Sequence, residues 1–229
     1  MQARERLSTA LRDRKTLTVG AVSHAAFLEN PPADLSAHCD LVELRLDSLG
    51  TGPGVTNFAA RSPLPLLITA RGPEEGGENA LTPDERREAY LKLLPHASAI
   101  DIELRDFPLL ADLIETARSQ NITIIGSFHD FEKTPPAEEL LAKSDQNADI
   151  FKVATRVHTS ADIDTHVRLL AAAPAASVMG MGPLGSASRP YLAALGSLLN
   201  YGFLGAHATA PGQWPAKLLK EALAACSAG

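Results

Sequence analysis

Aromatic side chains are scarce in this sequence: seven Phe, three Tyr and one Trp make up 5% of 229 residues, so a core must be assembled from Leu, Ala, Ile and Val. Cysteine is scarcer still. Cys39 and Cys226 stand towards opposite ends of the chain without Cys-x-x-Cys spacing, which argues against a disulfide framework and against a zinc or other metal site. A basic excess is also missing. The 21 Lys and Arg face 27 Asp and Glu, a formal net charge of −6, and such a chain has little with which to neutralise a phosphate backbone, so no nucleic-acid partner is expected. No apolar run approaches the roughly 18–20 residues of a membrane span, and Met1–Lys15 is studded with charge rather than carrying an apolar signal core, so no membrane partner is expected and a cytoplasmic location is. What is present, 45% hydrophobic and 21% charged residues, excludes disorder and suits a length at which roughly 200–250 residues can form one α/β barrel.

Short β-rich runs recur eight times: Thr16–Val22, Leu41–Asp47, Leu64–Arg71, Ala99–Leu104, Ile122–Phe128, Asp149–Thr155, Ser177–Gly182 and Gly202–His207. Segments of helical spacing separate them. The clearest begins at Thr82, where Thr-Pro-Asp-Glu supplies an N-cap, a proline at the first helical position and a capping-box glutamate, after which Ala89, Leu93 and Leu94 share a face. Pro108–Gln120, Pro136–Gln146, Ala161–Ala173, Pro190–Leu199 and Pro215–Ala225 behave similarly, while Ala33–His38 and Val55–Arg61 are weaker. Strands apolar on both faces that alternate with helices are the pattern of a parallel sheet covered by helices. Eight such units predict a (β/α)8 TIM barrel. An open doubly wound sheet lacks its usual mark, since no Gly-x-Gly-x-x-Gly turn follows the first strand. No linker or repeat divides the chain, which reads as one domain over residues 1–229, with 1–15 a short charged N-terminal extension, read as helix, to which the sequence assigns no role.

In a barrel, strand side chains alternate between interior and helix layer, and sites lie at the C-terminal ends of the strands. Glu43, Arg45 and Asp47 share one face of the second strand, Thr69 and Arg71 of the third, Asp101 and Glu103 of the fourth, Ser127 and His129 of the fifth. On the sixth, Lys152 lies between Phe151 and Val153. If Lys152 faced the helices, those two apolar neighbours would face a polar interior, so alternation puts Lys152 inside. Burial and nearby cations, for which Arg45 and Arg71 are candidates, favour the neutral amine, a nucleophile toward carbonyl carbon. An imine so formed is an electron sink that acidifies the adjacent carbon. His129 is suited to move that proton, and Glu75 in the Gly72–Gly77 loop could hold one of its ring nitrogens. His24, His38, His96, His158, His166 and His207 are read as structural. At this point an aldolase, a dehydratase and a decarboxylase fit equally.

Read in order, Glu43-Leu-Arg45-Leu-Asp47, Thr69-Ala-Arg71 with Glu75-Gly76-Gly77, Asp101-Ile-Glu103-Leu, Ser127-Phe-His129-Asp130-Phe131, Phe151-Lys152-Val-Ala, Met179-Gly-Met181-Gly182, Ser188-Arg189 and Thr209-Ala-Pro211-Gly212-Gln213 resemble the motifs of the type I 3-dehydroquinate dehydratase family. The resemblance runs from Leu17 to about Trp214. It implies a TIM barrel, usually dimeric and without a cofactor, that converts 3-dehydroquinate to 3-dehydroshikimate in the shikimate pathway. In the implied mechanism Lys152 captures the C3 ketone as an imine, His129 serves as general acid and base, and Glu75 orients His129. Arg189 and Gln213 would bind the substrate carboxylate, Glu43, Arg45 and Arg71 would address the hydroxyl side of the ring, and Asp101 and Glu103 would support the site from beneath. Thr209 stands where many members carry serine, keeping the hydroxyl for substrate contact. Residues 1–15 do not resemble the hairpin with which some members close the barrel floor. Gly182–Ser186 and Ala208–Gln213 are expected as loops after the last two strands, the second folding over bound substrate to exclude water. A class I aldolase-like lyase is the competing enzyme; it shares the imine but would not depend on the Arg189 and Gln213 clamp. A barrel that has lost catalysis would require a broken constellation, whereas Lys152, His129 and Glu75 are all present.

Overall fold

A computed structural model describes residues 2–173 and 175–227. Eight parallel strands, β1 (Leu17–Val22), β2 (Leu41–Arg45), β3 (Leu66–Thr69), β4 (Ala99–Glu103), β5 (Thr123–Asp130), β6 (Ile150–Arg156), β7 (Ala176–Met181) and β8 (Leu199–Phe203), form one sheet in the order β7-β6-β5-β4-β3-β2-β1-β8. The described helices are α1 (Gln2–Arg12), α2 (Ala25–Glu29), α3 (Leu46–Leu49), α4 (Pro53–Arg61), α5 (Pro83–Leu93), α6 (Ala111–Ser119), α7 (Ala137–Leu141), α8 (Ser160–Ala172), α9 (Gly182–Ala194) and α10 (Ala216–Ser227). This is the (β/α)8 TIM barrel, nearly closed. At the seam between β7 and β8 the amide of Leu198 donates to the carbonyl of Ala176 at 3.0 Å. Two buried serines complete it: Ser197 Oγ accepts from the Val178 amide (2.9 Å) and donates to the Val178 carbonyl (3.0 Å), and Ser177 Oγ donates to the Leu199 carbonyl. Serine hydroxyls thus satisfy backbone groups that a full ladder would otherwise pair.

Alternation sorts the core into two layers. Val42, Leu44, Leu66, Ile68, Ile100, Ile102 and Ile124 face the helices, whereas Val19, Leu41, Leu67, Ala99, Ile125, Ile150 and Leu199 fill the lower barrel interior. The capping box at Thr82 forms as its spacing predicts, with the Glu85 amide donating to Thr82 Oγ1 (3.2 Å) and the Thr82 amide to Glu85 Oε2 (2.8 Å). Helix α1 acquires a role that its sequence did not disclose. Leu7, 3% exposed, joins the interior cluster together with partly buried Leu11, and Arg4 donates to the carbonyls of Ala97 (2.7 Å) and Leu94 (3.0 Å) just ahead of β4. An amphipathic helix therefore closes the floor.

Three boundaries differ from expectation. The helix placed at Pro190–Leu199 starts eight residues earlier, so Gly182–Ser186 is the first turn of α9 and not a loop. Two features permit this. A Cβ on Gly185 would lie 2.4 Å from the carbonyl carbon of Gly180, so only glycine lets α9 approach β7 this closely. Pro190 then falls inside the helix and cannot donate to Ser186; the Ser186 carbonyl takes the Trp214 indole N–H instead, at 3.2 Å. The final strand is Leu199–Phe203 rather than Gly202–His207, because Gly205 adopts φ +89 and leaves the extended conformation. Around the second strand, Ala33–His38 holds only a short 3-10 turn at Leu35–Ala37 behind α2, and Asp47 lies in α3.

If α1 is the floor plug, Leu7→Ala lowers the unfolding free energy by about 2–5 kcal/mol, the usual range for a deleted core side chain. Urea denaturation measures it, and an unchanged midpoint would show that α1 adds nothing to stability.

Candidate active site

At the C-terminal ends of the strands a cavity of about 50 Å³ is lined by Glu43, Arg45, Arg71, Glu75, His129, Lys152, Arg189, Thr209 and Gln213, together with Gly76, Phe131, Ala154, Met179, Met181, Tyr201 and Ala210. Every site residue expected from the sequence is brought to this one place. A larger groove, about 730 Å³ between α2 and α4, is mostly apolar and contains none of them.

Lys152 is 4% exposed and points into the barrel. Its Nζ donates to Asp101 Oδ2 at 2.7 Å. Asp101 Oδ1 in turn accepts from Arg71 Nη2 (2.8 Å) and Ser127 Oγ (2.6 Å), while Arg71 Nη1 donates to Ser127 Oγ (2.6 Å). Asp101, read from the sequence as a support beneath the site, is thus the direct counter-ion of the lysine. Burial opposes its charge, but Arg71 and Lys152 hold its carboxyl below the usual range. Burial pushes Lys152 below its ordinary value; Arg71 acts in the same sense, Asp101 and Glu43 against it. Of the two cations anticipated for this effect, Arg71 is the effective one. Arg45 is occupied with Asp47, donating from Nε (2.9 Å) and Nη2 (2.8 Å), and with the Gly76 carbonyl (3.1 Å).

His129, on the adjacent strand, has its Nδ1 2.8 Å from Glu75 Oε2, and its amide donates to the same oxygen at 3.1 Å. Burial, with Arg71 and Lys152 nearby, takes the imidazole well below its ordinary value. Burial pushes the Glu75 carboxyl up to about 8, although Arg71 pulls it down. Two carboxylates anchor the loop carrying Glu75. Glu103 accepts the Gly72 amide (2.6 Å), and Asp47 accepts the amides of Arg71 (3.1 Å) and Glu78 (3.2 Å). Their work is to hold a loop, which requires them on strand ends flanking it; spacing alone revealed the face they share but not this partner.

Arg189 reaches the cavity from α9. Nη1 donates to the Tyr201 carbonyl at 2.8 Å, and Nε is buried without a partner among the described residues. Burial pulls it down to about 10, so it stays charged at neutral pH, with no carboxylate against it among the described residues. Beside it, the Thr209 amide and hydroxyl both donate to Gln213 Oε1, at 2.7 and 2.9 Å. That fixes the side-chain amide with its NH2 as the end available to a ligand. The loop is moored on α9: the Gly182 amide donates to the Pro211 carbonyl (3.2 Å) and Trp214 Nε1 to Ser186 Oγ (2.7 Å). Gly212 has φ +75, and a Cβ there would meet the Gly182 carbonyl oxygen at 2.6 Å. Tyr201 is the lining residue that sequence reasoning missed; placing the last strand at 199–203 would have turned it inward by alternation.

The depressed imidazole predicts that the His129 ring is uncharged at pH 6 in the free protein. Nitrogen-15 NMR of the histidine side chains reads this directly, and an imidazolium signal for His129 at that pH would contradict the electrostatics of the cavity.

The type I 3-dehydroquinase family model matches residues 19–228. A 3-dehydroquinate dehydratase of Thermodesulfovibrio yellowstonii is 32% identical over 219 residues, covering 90% of this chain and 89% of the relative. A catabolic 3-dehydroquinate dehydratase of Acinetobacter baylyi is 33% identical over 211 residues, 85% and 76% of the two chains. The crystal structure of the 3-dehydroquinate dehydratase from Aquifex aeolicus aligns with a TM-score of 0.78 at 28% identity over 90% of this chain and 97% of the other. The match extends over nearly all of the sequence and over the barrel that carries the site: the chain belongs to the type I 3-dehydroquinase family.

Proposed function

We infer that this chain is a hydro-lyase that dehydrates 3-dehydroquinate to 3-dehydroshikimate through an imine on Lys152, with His129 as general acid and base. The observation that carries the mechanism is the pairing of a buried lysine with a buried, carboxylate-held histidine on neighbouring strands, in register Ser127 with Lys152 and His129 with Ala154. The neutral Lys152 amine attacks the C3 carbonyl, forming a C–N bond, and with one proton taken up from solvent, and returned to it at the final hydrolysis, the carbonyl oxygen leaves as water. The resulting iminium withdraws electrons from C2. Nε2 of His129 takes the C2 proton, and the electron pair moves into the C2–C3 bond to give an enamine. Collapse of the enamine restores the iminium and expels the C1 hydroxyl, which receives a proton from His129 and leaves as water. A second water then hydrolyses the iminium and frees the amine, so the net change is the loss of one water.

Arg189, charged and free of any carboxylate among the described residues, supports a carboxylate clamp with the NH2 of Gln213, and Thr209 sets the orientation of that amide. Glu43, Arg45 and Arg71 would face the substrate hydroxyls. The cavity has room for only a few waters, so a substituted ring enters by displacing the Thr209–Gln213 loop, which then covers it. We extend the proposal to the wider expectations of the family resemblance: a cytoplasmic enzyme of the shikimate pathway, acting as a homodimer without a cofactor. No described helix is long and apolar enough to cross a membrane.

Borohydride reduction in the presence of 3-dehydroquinate, followed by peptide mass analysis, is expected to yield one adduct, on Lys152. His129→Ala should still form it while turning over at least about a hundredfold more slowly, as loss of a positioned acid and base predicts. No adduct in an active enzyme, or near-normal turnover in His129→Ala, would overturn the mechanism. The pH dependence provides a second check. With Glu75 ionised, Nδ1–H donates to it and Nε2 is free to act as base, so kcat/KM should rise through about pH 8, where Glu75 loses its proton. Glu75→Gln should lack that limb; a limb that persists would assign it to another group.

A further inference from the structure

We propose that Tyr201 is a catalytic residue of this site: the face of its ring carries the positive charge that Lys152 bears first as an ammonium and then as the iminium of the bound substrate. Lys152 Nζ lies 3.9 Å from the ring centroid of Tyr201, and its other partner is Asp101 Oδ2 at 2.7 Å. The cation is therefore held between a carboxylate and an aromatic face, in a position 4% exposed to solvent. The attraction of a cation to a ring face is stronger when both are desolvated.

The two partners fare differently as the imine forms. Asp101 binds Lys152 through an N–H, and it also serves Arg71 and Ser127. The ammonium has three N–H bonds to offer; the iminium has one, whose direction is set by the planar C=N group. The attraction of the ring face acts on the charge as a whole and needs no particular N–H. It persists through each cationic intermediate.

The ring is held for this task. Tyr201 lies on β8 in register with Val19 of β1, and its carbonyl accepts from Arg189 Nη1 at 2.8 Å. Its hydroxyl is buried without a partner among the described residues. An unpartnered hydroxyl deep in a core is costly, so what the ring contributes here lies in its face, which touches Lys152 Nζ.

The role rests on the Lys152 imine, and the test separates the two. Tyr201→Phe keeps the ring and removes the hydroxyl. Replacing residue 201 by phenylalanines carrying one, two and three ring fluorines then withdraws charge from the face at nearly constant shape, so folding is preserved. Turnover is expected to stay within a few-fold of wild type in Tyr201→Phe and to fall stepwise with each fluorine, about tenfold or more over the series. Borohydride trapping at Lys152 is measured in the same samples. An adduct at Lys152 with a turnover flat across the fluorinated series would overturn the role of the ring. So would Tyr201→Phe losing as much activity as Tyr201→Leu, which would point to the hydroxyl. Absence of an adduct in the active wild type would instead remove the imine on which the role depends.

Discussion

Everything at the mouth of this barrel depends on how a lysine can be kept in a dry interior. Transfer of an ammonium out of water is unfavourable unless it is paired. Here the pairing is a closed arrangement of Lys152, Asp101, Arg71 and Ser127, with contacts of 2.6–2.8 Å between them. Two cations share one carboxylate. Burial, with Arg71 acting in the same sense, displaces Lys152 toward its neutral form, while the bond to Asp101 opposes that shift and holds the side chain in one geometry.

The same constraint extends outward. The carboxylates near the centre are answered by cations, backbone amides or a hydroxyl: Asp47 by Arg45 and the loop amides, Glu103 by Arg105 and Arg86, with Arg86 also bound to Asp106, and Glu43 by the Thr69 hydroxyl. These pairs tie the loop carrying Glu75 to the ends of β2 and β4, and through Glu75 they position His129. Arg189 stands apart from the pattern. Its charge is buried against the Tyr201 carbonyl, with no carboxylate partner among the described residues. The polar mouth is supported from below by an apolar plug, where Leu7 of α1 seals the floor against Leu41, Leu67 and Leu199. Stability and chemistry thus occupy opposite ends of one barrel.

Much of this was legible in the sequence. Period-two alternation placed Lys152, Glu43 and Asp101 inside, because a strand has only two faces and one of them is covered by helices. The Thr82 capping box marked a helix start because its two hydrogen bonds are local. Less was legible where local pattern competes with tertiary packing. Pro190 reads as a helix start, yet α9 runs through it because Trp214 supplies the donor that Ser186 would otherwise lack. The missed strand boundary hid Tyr201, and the floor role of α1 depends on residues some 90 and 190 positions away.

The sequence by itself determined the parallel eight-unit architecture and the inward set of polar side chains, Lys152 and His129 among them, since these follow from periodicity. Only the tertiary structure decided that Asp101 is the lysine's counter-ion, that Arg71 shares that carboxylate while Arg45 pairs with Asp47, that Thr209 orients Gln213, and that Tyr201 lies against Lys152 Nζ. Each of these is a distance between elements separated in the chain, and it comes into being only when the barrel closes.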